Sequence, residues 1–129
     1  MGGSIDVQAI LCNLIELSKT PVIGIAMGMV ASAASLIFMA CHCKLIMPNA
    51  YLLVHQGSAA LSGNYGDIAA AMEDYEKTVR QMEDFIIAHT DYTEEEVRDK
   101  IRKDWYIKAD EAIERGVADE IITDINAIL

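Results

Sequence analysis

Apolar positions along the chain fall into patterns that change period several times, and each change marks an element. Val7, Ile10, Leu11, Leu14, Ile15 and Leu17 recur at helical spacing, which predicts a helix ending near Lys19-Thr20-Pro21. Pro21 to Met27 is an unbroken apolar run rich in β-branched residues, and it predicts a strand buried on both faces. Gly28 ends that run. Ala31 to Ala40 then offers good helix formers with small residues crowded into the first turn. Lys44 to Met47 and Tyr51 to His55 read as strands either side of the turn Pro48-Asn49-Ala50. From Gly57 to Gly66 the residues are small and polar, as in a loop able to lie beside an extended peptide.

Asp67 to His89 predicts a long helix, with Ile68, Met72, Tyr75, Val79, Met82 and Ile86 alternately four and three apart and charges on the opposite face. Such a seam suits packing against another helix, from this chain or a second copy, or else an ordinary amphipathic core helix. Thr93-Glu94-Glu95-Glu96 is a capping box opening a helix through Val97 and Ile101 to about Lys103. A short extended piece, Asp104 to Ile107, leads to a last helix, Asp110 to Arg115, stopped by Gly116 before a strand from Val117 to Ile122. Strands and helices alternate, so the class is α/β, in one domain spanning 1–129.

Composition adds exclusions. The 129 residues are 53% hydrophobic, enough for a core, and carry 20 acidic against 10 basic side chains, a net charge of −10. That balance argues against partners that are nucleic acids or anionic membranes. No charge falls between Lys19 and Lys44, and Gly24-x-x-x-Gly28 matches a helix-dimer motif, so a membrane span is a formal alternative. The change of pattern at Gly28 and the many Ala, Ser and Gly residues favour a strand followed by a buried helix. Cys12, Cys41 and Cys43 sit in apolar surroundings, and Met1-Gly2-Gly3-Ser4 has neither a basic nor an apolar leader region, which favours a reduced, cytoplasmic setting. Cys41-His42-Cys43 lacks a second ligand pair for a metal and reads as structural thiols at a helix end.

The candidate chemistry centres on Ser32, at a strand-to-helix elbow. There a hydroxyl faces unpaired helix N-terminal amides, a position that suits a nucleophile and equally suits a plain helix cap. His55 ends a strand where a loop begins, a place for a structural histidine or for one facing a cleft. A hydroxyl, an imidazole and an aspartate would make a hydrolytic triad.

Gly28-Met29-Val30-Ala31-Ser32-Ala33-Ala34-Ser35, Met47-Pro48-Asn49-Ala50 and His55-Gln56 resemble the proteolytic subunit of the Clp protease. The likeness extends through Gly2-Gly3-Ser4, Ala88-His89-Thr90, Ala109-Asp110-Glu111-Ala112 and Gly116-Val117-Ala118-Asp119. The Ala-Ser-Ala-Ala-Ser version and the interval of 23 residues between serine and histidine resemble the phage-encoded branch. The resemblance implies a crotonase-like fold lacking the usual N-terminal strands. It implies Ser32 as nucleophile, His55 as general base and then acid, and Asp104 as the orienting carboxylate, with Asp67, Asp91 and Asp99 as poorer matches. Gly3 and Ala33 fall where the family supplies oxyanion-hole amides.

The loop after His55 lacks the family's usual proline, and Gly2-Gly3 stands almost at the start of the chain rather than mid-chain. The implied activity is endopeptidase cleavage of unfolded polypeptide or peptides inside a homo-oligomer of stacked rings. It needs no cofactor or metal, and any ATP dependence belongs to a separate unfoldase. The alternatives are an inactive ring-forming scaffold of the same fold and, on the same fold, an acyl-CoA hydratase or isomerase.

Overall fold

A computed structural model describes residues 5–55 and 62–128. In chain order the elements are α1 (Ile5–Leu17), β1 (Ile23–Ala26), β2 (Met29–Ala31), α2 (Ala33–Ala40), β3 (Cys43–Ile46), β4 (Tyr51–Val54), α3 (Tyr65–His89), α4 (Glu94–Lys100), β5 (Trp105–Lys108), α5 (Ala109–Glu114) and β6 (Glu120–Ile121). The strands form two sheets of three, β1-β3-β6 and β2-β4-β5. The first is parallel throughout; in the second, β2 runs parallel to β4 and β5 antiparallel to it. The α/β class expected from the alternation is the one observed.

Met39, Ile46, Leu52, Val54, Ile86, Val97, Ile107 and Val117 are at most 1% exposed and gather α2, both sheets, α3 and α4 into one core. Burial of each such side chain contributes roughly 1.5–3 kcal/mol. The strand expected to be buried on both faces is not: Ile23 is 60% exposed and Ile25 37%. Among the described residues β1 is an edge strand of its sheet, and only Ala26 of it is fully buried. The apolar spacing of α1 does predict its helix, yet Leu14 and Leu17 are 62% and 83% exposed and Cys12 supplies its buried contact.

Three further boundaries differ from expectation. Helix α2 starts at Ala33 rather than Ala31, because Met29–Ala31 pairs with Tyr51–Leu53 as a separate strand. The last strand shrinks from Val117–Ile122 to Glu120–Ile121, because the Val117 and Ala118 amides donate to the Ala112 carbonyl and close α5 instead. Gly116 makes that closure with φ of +69°, where a Cβ would also meet Asp91 Oδ2 at 2.6 Å. Helix α3 begins two residues before Asp67, capped by Asn64, whose side chain accepts from the Asp67 amide. Within its seam Ile86 is buried but Met72 is 51% exposed, so most of α3 stands clear of its own core.

Candidate functional site

Because β2 and β4 are parallel, their C-terminal ends lie side by side, the edge at which open α/β sheets place ligands. Ser32 follows β2 and His55 follows β4 at that edge. β5 is antiparallel, so its start, and Asp104 immediately before it, comes to the same edge. The sheet thus gathers residues from three separate stretches of chain.

Ser32 Oγ and His55 Nε2 are hydrogen-bonded. The serine makes no side-chain cap to α2, which removes the plain-cap reading of the elbow. Its backbone is unusual: φ 54° and ψ −121° make it the one described residue other than glycine with positive φ. An L-residue holds such a conformation at a cost of about 1–3 kcal/mol, so surrounding bonds must impose it. Here the Ser32 amide donates to the Leu53 carbonyl at 2.8 Å, prolonging the β2–β4 ladder. The Ser32 carbonyl accepts from the Ser35 amide at 3.0 Å and from Ser35 Oγ at 2.5 Å. Gripped on both sides, the elbow presents its hydroxyl to the strand-end imidazole.

Asp104 is placed by register. Val54 pairs with Trp105 at the end of the ladder, so His55, following Val54, and Asp104, preceding Trp105, both leave the sheet at that end. Among the described residues the exposed Asp104 makes no hydrogen bond or ion pair, so the structure joins Ser32 to His55 and brings Asp104 alongside without a bond. Of the rival carboxylates, the amide of Asp91 donates to the Arg115 carbonyl, and Asp67 lies in the first turn of α3.

Ala33 opens α2, where the first amides have no intrahelical acceptor. Its N–H is one of the amides that give a helix start its partial positive charge. Gly3, the second expected oxyanion donor, and the Gln56–Leu61 part of the loop after His55 lie outside the described residues.

The cysteines take no part in this edge. Burial pushes the Cys12 and Cys41 thiols above the usual range, with Lys44 opposing that shift at Cys41, so neither is an activated nucleophile. His42 Nδ1 accepts from the Val22 amide at 2.9 Å, which gives Cys41-His42-Cys43 a structural role at the start of β3. Among the described residues no cluster of three metal-ligating side chains occurs, and no helix is long and apolar enough to cross a membrane.

Sequence reasoning singled out Ser32 and His55, which the structure joins, but passed over Ser35 and β2. The second serine looked like small-residue filling in a helix turn. Its partner is the Ser32 carbonyl three residues back.

Comparison with known proteins bears on this arrangement. The family model described as Clp protease matches residues 1–125. The chain is 30% identical over 123 residues to ATP-dependent Clp protease proteolytic subunit 2 of Treponema pallidum, covering 94% of this chain and 62% of the relative. It is 28% identical over 123 residues to the ATP-dependent Clp protease proteolytic subunit of Deinococcus radiodurans, covering 94% and 60%. With ATP-dependent Clp protease proteolytic subunit 1 of Streptomyces coelicolor it shares 36% identity over 124 residues, covering 94% and 56%. The chain therefore spans between 56% and 62% of the length of these relatives.

Proposed function

The chain belongs to the Clp protease family, and from that premise we propose that it is a serine-type endopeptidase hydrolysing unfolded polypeptides or peptides in the cytoplasm. The observation that carries this reading is the hydrogen bond between Ser32 Oγ, on a strained elbow, and His55 Nε2, at the edge where Asp104 also arrives. His55 takes the hydroxyl proton as Ser32 Oγ attacks the scissile carbonyl, and a new C–O bond forms as the carbonyl electron pair moves onto oxygen. The Ala33 amide receives this oxyanion. His55 then returns the proton to the leaving amine as the C–N bond breaks, and a water repeats the sequence to release the acyl group. On closing toward His55 during turnover, the Asp104 carboxylate orients the imidazole so that Nε2 receives the Ser32 proton.

The exposed seam of α3 supports assembly into a homo-oligomeric ring that stacks on a second ring, since a long amphipathic helix clear of its own core offers a surface to another copy. A separate ATPase unfoldase would feed such a chamber. One observation favours the second reading, an inactive ring-forming scaffold: Asp104 makes no bond to His55 among the described residues.

A fluorophosphonate probe separates the two. The peptidase reading expects one equivalent of label on the wild type and none on Ser32→Ala. Oligomers by sedimentation without labelling of the wild type would leave the scaffold.

A further inference from the structure

We propose that Ser35 is a positioning residue that aims the Ala33 amide into the oxyanion hole; the inference rests on the peptidase reading above. A peptide unit is planar, with its carbonyl and the following N–H pointing in opposite directions. The Ser32 carbonyl and the Ala33 N–H belong to one such unit, so fixing the oxygen fixes the direction of the amide. The oxygen is fixed by two donors of the same residue, the Ser35 amide at 3.0 Å and Ser35 Oγ at 2.5 Å.

Any helix start can supply an amide to that carbonyl; the hydroxyl is the addition. Ser35 is 0% exposed, so its Oγ has no access to water and commits its one proton to this carbonyl. The need for a second donor follows from the backbone. At φ 54° and ψ −121° the Ser32–Ala33 unit is not in helical orientation, and the regular ladder of α2 does not set its tilt. The Leu53 carbonyl accepts from the Ser32 amide on the other side of the residue, so the freedom left is rotation of the unit that carries the Ala33 N–H. Ser35 Oγ removes it. The neighbouring residues cannot stand in: Ala33 and Ala34 carry no side-chain donor.

Losing an oxyanion donor outright slows hydrolysis by about 10²–10³, and loosening the aim of one forfeits part of that, a fall of about tenfold. The test uses the full chain and a short fluorogenic peptide, with active sites counted by fluorophosphonate so that the rate refers to competent serines only. Ser35→Ala is expected to lower kcat per labelled serine about tenfold, to leave KM within about twofold, and to weaken a peptidyl boronate, which places an anionic oxygen in the hole, by the same factor. Ser35→Thr keeps the hydroxyl and restores the rate. A purely structural serine would lower the labelled fraction and leave the rate per labelled site and the boronate affinity unchanged. That result, or equal losses in the alanine and threonine variants, overturns the assignment. Should Ser35→Ala not fold, Ser35→Cys, of nearly the same size but a poor donor, carries the same expectation. A wild type that neither labels nor hydrolyses sinks the peptidase reading and this one with it. A labelled wild type with an unaffected Ser35→Ala sinks this one alone.

Discussion

Ser32 is held at its amide, its carbonyl and its hydroxyl, whereas Asp104, at the same sheet edge, is held among the described residues by the strand pairing that begins one residue later. The difference lies in how each arrives. The serine's anchors are bonds made to it directly, from β4, from the first turn of α2 and from the imidazole just beyond β4. The carboxylate arrives on a strand that follows α3 and α4, and its position is inherited from whatever fixes β5. One arm is set by a strained local backbone with every polar group bonded, the other by register and packing at a distance. Damage to the first should change chemistry before stability; damage to the second should change both, by degrees.

The most severe break is at the serine arm itself. Ser32→Ala removes the attacking atom and is expected to cut hydrolysis of a fluorogenic peptide by about 10⁶, to the background level. Alanine keeps the positive φ and the backbone bonds to Leu53 and Ser35 and loses only the side-chain bond to His55, so the melting temperature should move little. Asp104→Asn is the matching break on the other arm. An amide cannot stabilise the imidazolium and favours the wrong tautomer, so kcat falls by about 10³–10⁴ if the carboxylate closes on His55 during turnover. Catalytic hydrogen bonds are often loose before substrate binds and tighten during turnover, a closure that this prediction requires of Asp104. A loss below about tenfold would show that Ser32 and His55 work as a dyad and that the register places Asp104 beside them to no effect.

How much of this could be read from the residues follows the same division. The elbow serine, the strand-end histidine and the capping box at Thr93 were legible because each is a local signal: a change of apolar period, a strand meeting polar loop residues, a Thr-x-x-Glu spacing. The burial of β1 was misjudged because an apolar run does not say whether its strand is central or at an edge. Strand β2 was missed because it has only three residues and draws its stability from Tyr51–Leu53, which no window around it contains. The end of α5 was blurred for a related reason: Val117 has a high β propensity, yet its amide closes the helix at Ala112. Asp104 was singled out by resemblance; residue chemistry alone left several aspartates in play, since only long-range pairing tells them apart.

Damage to the packing under β5 sharpens the contrast at intermediate size. Trp105 meets the Tyr92 ring edge-on with centroids 4.8 Å apart, and the Arg115 guanidinium lies 4.4 Å from the same ring. Tyr92→Leu removes both contacts and should cost about 2–3 kcal/mol in urea unfolding, with a fall in kcat as β5 loosens and fluorophosphonate labelling of Ser32 largely kept. Tyr92→Phe keeps the ring and adds a pH signature. Burial, with Glu111 adding to it and Arg115 opposing it, raises the Tyr92 hydroxyl above its ordinary value, so its neutral form is favoured in the fold. A raised group contributes stability that is fully present below its unfolded value, about 10 for tyrosine, and is lost as pH rises through the folded one. The wild type should therefore lose stability on the alkaline side more steeply than Tyr92→Phe, which urea midpoints at neutral and alkaline pH would reveal.

The mildest test reaches the carboxylate arm from furthest away. Thr93 Oγ1 accepts from the Glu96 amide at 3.2 Å, and Glu96 Oε1 accepts from the Thr93 amide at 3.1 Å, closing the first turn of α4. Glu96 Oε2 is also ion-paired to Arg115, the cation that covers Tyr92. The cap is thereby continuous with the contacts that seat Trp105, and through them with the start of β5. Thr93→Ala should cost about 1 kcal/mol, read as a lower urea midpoint, because the orphaned amides of α4 turn to water. Peptide hydrolysis should stay within about twofold, since α4 ends before the loop that carries Asp104 and Val54–Trp105 pairing persists. A loss of hydrolysis larger than that, at unchanged Ser32 labelling, would mean that the register alone does not hold the carboxylate in place and that the helix before it sets the reach to His55.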